Sequence, residues 1–160
     1  MSRAHFAGVL ILALALSSCA HRTGSTTSGT NQTSQRLTTA TLTFRTLEDG
    51  KDAKSAVSVQ LVRNGNELGA EATSSGTEFD DNSDAAPLVM SIRGPFDKQD
   101  ARSGQLRLRL TPDGNDTWTF NVGLMLRFAV ETQQSYSWST IRLDEKAPER
   151  TLVLAGAEGR

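Results

Sequence analysis

Beyond residue 36 the chain reads as one all-β domain, an antiparallel β-sandwich of about seven or eight strands. Three observations predict it. Apolar residues recur at every second position, turn-forming residues punctuate the runs, and no segment carries a helical period. Short alternating strands separated by turns are the pattern of a sandwich whose two sheets each bury one face.

Leu42 and Phe44 alternate with Thr41, Thr43 and Arg45 in the first strand. Val57, Val59 and Leu61 alternate with Ser58 and Gln60 in the second, and Asn64-Gly65 then signals a turn. Leu88, Met90 and Ile92 form a further set, closed by Gly94-Pro95. Leu106, Leu108 and Leu110 alternate with Arg107 and Arg109, the cleanest half-buried strand. Pro112-Asp113-Gly114-Asn115 is a turn on chemical grounds, since Pro fixes φ and Gly permits positive φ.

From Trp118 to Val130 one parity holds through Phe120, Val122, Leu124, Leu126 and Phe128. So long a strand is unusual, and a bend or bulge is expected near Gly123, where the strand can pass between sheets. Tyr136–Leu143 and Thr151–Leu154 complete the set.

Ahead of this domain lie two other segments. Arg3 and the amino terminus are positive, and Phe6 to Leu16 is an uninterrupted apolar run. At about 11 residues it is too short to span a bilayer as a helix, which takes roughly 20, and it fits the apolar region of a secretory signal. Leu16-Ser17-Ser18-Cys19 follows and resembles the lipobox of bacterial lipoproteins. That resemblance implies a signal peptide at 1–18, diacylglycerol on the Cys19 sulfur, and attachment to a membrane. Ordinary secretory cleavage after Ala20 is the competing reading, because Ser18-Cys19-Ala20 also fits a small-x-small site. By similarity to Gram-negative lipoproteins, Ala20 in place of Asp implies the outer membrane if the cell has one.

Residues 19–36 hold the lipidated cysteine and a Ser-, Thr- and Gly-rich stretch with almost no apolar side chain. Such a composition cannot bury enough surface to offset chain entropy, so a flexible tether is expected. Residues 37–160 are then a single domain.

Charge and composition exclude several functions. Removing Arg3 from the 17 basic residues leaves 16 against 18 acids, a net charge of −2. No nucleic-acid footprint is expected from that balance. Cys19 is the sole cysteine, so no disulfide can form within the chain. Both histidines, His5 and His21, precede the domain. The domain therefore lacks the parts for Ser-His-Asp or Cys-His catalysis and for a His- or Cys-ligated zinc site. Carboxylate chemistry or a Ser-Lys pair using Lys51, Lys54, Lys98 or Lys146 is all that remains, and no enzyme is expected.

Two features point to binding. Three acidic clusters interrupt the strands: Glu48-Asp49-Gly50-Lys51-Asp52, Asp80-Asp81-Asn82-Ser83-Asp84 and Asp113-Gly114-Asn115-Asp116. Oxygen-rich loops at a sandwich end suit a hard cation such as Ca²⁺, while solvated turns with Asx caps are the plainer reading. Secondly, Tyr136 and Trp138 stand two apart in a polar strand, with Ile141 and Leu143 of opposite parity. If the latter pair faces the core, the aromatics face solvent, where they can stack on a sugar or anchor a protein. A bulge would return them to the core.

The arrangement resembles PLAT-type domains, small β-sandwiches of lipid- and protein-interacting proteins. Leu42–Leu61 matches their opening strand, acidic loop and second strand. Phe79-Asp80-Asp81-Asn82-Ser83 matches an aromatic before a polar turn, and Leu106–Val122, with Trp118, their Trp-containing strand. Lys54-Ser55 stands where those domains carry a Gly-Thr pair. The resemblance implies a binding module with Ca²⁺ at Asp49, Asp52, Asp113 or Asp116, and no catalysis. The expected role is a membrane-anchored module presented to an envelope protein, glycan or lipid surface. The alternative is a structural subunit of an envelope assembly.

Overall fold

The computed structural model describes residues 35–155 apart from residue 64. The signal peptide, Cys19 and most of the tether lie outside the described residues, as does Asn64 of the expected turn.

Among the described residues nine strands form two antiparallel sheets. They are β1 (Leu37–Thr46), β2 (Ala56–Arg63), β3 (Glu67–Ser74), β4 (Leu88–Val89), β5 (Ser91–Ile92), β6 (Gln105–Thr111), β7 (Thr117–Phe128), β8 (Gln133–Asp144) and β9 (Glu149–Val153). One sheet runs β4-β1-β7-β8 and the other β5-β3-β2-β6-β9. Their inner faces share one core, and the chain is a β-sandwich as its alternation predicts.

The core follows the strand parities. Ala40, Leu42 and Phe44 of β1 are buried with Phe120, Val122, Leu124 and Leu126 of β7. Val57, Val59 and Leu61 of β2 meet them from the other sheet with Leu106, Leu108 and Leu110 of β6. At one end Phe44, Phe79, Trp118 and Phe120 form an aromatic cluster. Trp118 stacks on Phe120 with ring centres 3.8 Å apart, and its indole N–H donates to Thr46 Oγ1 at 3.1 Å.

Three departures from the sequence expectation matter. First, β3 is an additional strand, and it pairs with β2 from Val57↔Ser74 to Arg63↔Glu67. Second, β7 does not change sheets at Gly123; it stays between β1 and β8 throughout. The crossing occurs at Met90, whose buried side chain separates β4 in one sheet from β5 in the other. The alternating set Leu88, Met90, Ile92 is therefore two short strands. Third, the bulge lies in β8. Phe120 pairs with Ile141 and Val122 with Trp138, so Ser139 and Thr140 together oppose Asn121. Thr140 has a φ of 56°, and its N–H donates to Asn121 Oδ1 at 2.9 Å.

Phe96 closes the core against Gly69 of β3. A β-carbon at Gly69 would lie 2.6 Å from Phe96 Cδ2, and Phe96 is buried. Gly69→Ala should therefore cost about 1–3 kcal/mol through overpacking. Thermal unfolding checks this, and an unchanged Tm would show that Phe96 yields freely.

Candidate functional site

The acidic loops gather at one end of the sandwich, but their carboxylates are dispersed. Asp49 pairs with Arg142 at 3.6 Å, and Asp113 lies 3.9 Å from Lys54. Asp116 accepts the Asp52 N–H at 3.3 Å. Among the described residues no group of three or more His, Cys, Asp or Glu side chains is placed to hold a metal.

A cation does sit there, and it belongs to the chain. Lys51 is buried, and its ammonium donates to the carbonyls of Asp52 (2.8 Å), Ser55 (2.6 Å) and Thr77 (2.5 Å). It also lies 5.0 Å from the centre of the Phe79 ring. Backbone bonds hold the surrounding loops: Lys51 and Phe79 exchange both N–H···O contacts, and Gly50 N donates to Asp81 Oδ1 at 2.6 Å. Burial pushes the Lys51 pKa below its usual value, while the charges of Asp116, Asp52 and Glu78 pull it upward. Three carbonyl acceptors suit the ammonium, which has three hydrogens to give. The backbone oxygens that a hard cation would need are thus turned onto Lys51.

The same contacts bear on a Ser-Lys pair. Lys51 meets the carbonyl of Ser55, whereas the Ser55 hydroxyl accepts the Asp113 N–H at 2.9 Å. Lysine nitrogen and serine hydroxyl therefore have separate structural partners.

Tyr136 and Trp138 do not form an exposed pair. The Ser139–Thr140 bulge inverts the parity of β8, so Tyr136, Trp138, Ile141 and Leu143 all lie on the core side. Tyr136 is buried opposite Leu124, and Trp138 is half-buried opposite Val122. Their rings stack at 6.2 Å with an interplanar angle of 15°.

The outer face of the β4-β1-β7-β8 sheet carries small polar residues at its centre, with Val89 and Met125 in the Thr41 row and Arg45 and Arg127 farther along it. Thr43, Gly123 and Ser137 stand in register across three strands. Gly123 has no side chain, and a β-carbon there would meet Thr43 Oγ1 at 2.6 Å. The Thr43 hydroxyl therefore leans over the Gly123 backbone, and the floor of the face stays low at its centre. Around this notch lies an open groove of about 540 Å³. Asn121 and Ser139 flank it on one side, and Ala85 and Pro87 add apolar surface beyond β1. Arg45 and Asp84 form part of the wall and pair with each other at 3.1 Å, so the wall is charge-balanced.

The groove can offer hydroxyl, amide, carboxylate and guanidinium groups to a ligand while presenting little net charge. Comparison of the chain with protein-family models, with curated proteins and with solved structures finds no match in any of the three.

Proposed function

We propose that this chain is a lipid-anchored envelope protein whose sandwich is a non-enzymatic binding module for a neutral, hydroxyl-rich ligand such as an envelope glycan. The anchor is read from Leu16-Ser17-Ser18-Cys19 behind its apolar run, and an outer-membrane location follows from Ala20 if the cell has such a membrane. The observation that carries the binding role is the groove over Gly123. It is concave, largely preformed by sheet backbone, and edged with a few polar groups that can fix orientation. Charge balance at Arg45–Asp84 favours a neutral ligand over a polyanion. Buried Lys51 supports a module that works without Ca²⁺.

Ser137→Tyr tests the site. Residue 137 faces outward beside Gly123, and a tyrosine suits a strand while its ring would lie across the notch. Affinity for soluble glycan fragments should fall at least about tenfold with Tm unchanged. Equal affinity in the variant would remove the groove from consideration. In cells, Cys19→Ser should move the protein from the membrane to the soluble fraction. Retention at the membrane would refute the lipid anchor.

A second reading, a structural subunit of an envelope assembly, is favoured by one separate feature: among the described residues, β8 is a long edge strand.

A further inference from the structure

Each sheet has two edges, and three of the four are short or charged. β4 and β5 are two residues each, and β9 opens on Glu149-Arg150. The fourth edge, β8, is 12 residues long, and among the described residues its backbone pairs with β7 alone. From Gln133 to Ser139 it reads QQSYSWS, with no charge and no proline. Proteins ordinarily protect such edges with lysine, proline or brevity, because free N–H and C=O groups template another strand. This one is left open until the Ser139–Thr140 bulge.

The backbone groups that face outward can be identified. Met90 N donates to Ala40 O and Ala85 N to Phe44 O, so even-numbered residues of β1 turn away from β7. Thr41, Thr43 and Arg45 therefore bond to Met125, Gly123 and Asn121, which leaves Val122, Leu124 and Leu126 to bond to β8. Their partners there are Trp138, Tyr136 and Gln134. Phe128 N donating to Thr132 O continues the same phase. Gln133, Ser135 and Ser137 consequently direct their N–H and C=O groups off the sheet.

We propose that a second copy of this chain occupies this edge, β8 adding antiparallel to β8 about a two-fold axis at Tyr136. Self-complementarity selects this occupant. About that axis Ser135 of each copy faces Ser137 of the other, and Gln133 faces Ser139. The outward backbone groups of Ser135 and Ser137 then meet each other in hydrogen-bonded pairs, and the match ends at the bulge. On the core side, Gln134 of each copy faces the half-buried Trp138 of the other and covers its open rim. The two four-stranded sheets merge into one of eight, with symmetry that closes on a dimer.

Cysteine crosslinking and sedimentation of the full chain test this, in a Cys19→Ser background that leaves no native thiol. A mixture of Ser135→Cys and Ser137→Cys proteins should form a heterodisulfide under mild oxidation, while either protein alone should crosslink at least about tenfold less, because the two-fold register sets its own cysteines apart. Ser135→Pro removes an outward N–H, so it should abolish the dimer while leaving Tm unchanged at concentrations low enough for the wild type to be monomeric. Ser135→Lys, a charge at the same place, should do the same. A sedimenting monomer at about 0.1 mM, or crosslinking that is indifferent to which cysteines are mixed, would overturn the proposal. Residue 135 lies outside the groove over Gly123, so loss of the dimer and loss of ligand binding are read separately.

Discussion

Lys51→Met should destabilise the fold by about 2–4 kcal/mol, lowering Tm by on the order of 10 °C. Methionine fills much the same space, so the loss measures the ammonium rather than the volume. The carbonyls of Asp52, Ser55 and Thr77 all converge on that nitrogen, and removing it strands three acceptors, that of Ser55 buried and the other two partly so. Asp116, Asp52 and Glu78 would also lose the attraction of the Lys51 charge. Lys51→Arg should not rescue, because the wider planar guanidinium cannot reach three carbonyls placed for a compact ammonium. Calcium provides a second arm. The wild type should show no change of Tm with millimolar Ca²⁺ or EDTA, since its own cation holds the loop oxygens. A reversible rise of several degrees would mean that the loops bind metal beside Lys51.

Trp118→Ala should cost about 3–5 kcal/mol, the largest single loss expected in this domain. Trp118 is fully buried, stacks on Phe120, and packs against Phe44 and Phe79 with ring centres 5.1 Å away in both cases. Its removal opens a cavity between the sheets and leaves the Thr46 hydroxyl without its indole donor. Trp118→Phe keeps the ring contacts and loses the hydrogen bond, so it should cost about 1–2 kcal/mol. Chemical denaturation of the two variants separates packing from hydrogen bonding. Equal losses would show that the N–H, not the ring, dominates.

Much of this fold was legible because parity along a strand is a local signal. β2, β6 and β7 bury the alternating residues that their sequences mark, from Val57 to Phe128. β3 was not legible: ELGAEATS offers little apolar alternation, and it becomes a strand through its hairpin with β2 and the packing of Phe96 on Gly69. A bulge that returns Tyr136 and Trp138 to the core was one of the two readings of β8, but its place at Thr140 was not marked. It places a β-branched residue at positive φ, with no glycine to announce it, and the Asn121 side chain holds it there. That one extra residue decides whether Tyr136 and Trp138 face solvent or core.

The sites differ in the same way. Lys51, between Gly50 and Asp52, reads as a solvated turn cation, and only the return of residues 77–79 buries it. The groove depends on Thr43, Gly123 and Ser137 meeting in register, and no local pattern records a meeting of three strands. What the sequence did carry was the absence of His and Cys from the domain and the presence of Gly123 in the longest apolar-alternating run.

An amide NMR map of the domain during titration with soluble glycan fragments shows whether the face over Gly123 receives a neutral glycan. Saturable shifts should concentrate at Thr43, Asn121, Gly123 and Ser137, with Lys51 and its loops unmoved. Shifts confined to residues 49–52 and 78–81, or no shifts at all, would contradict it.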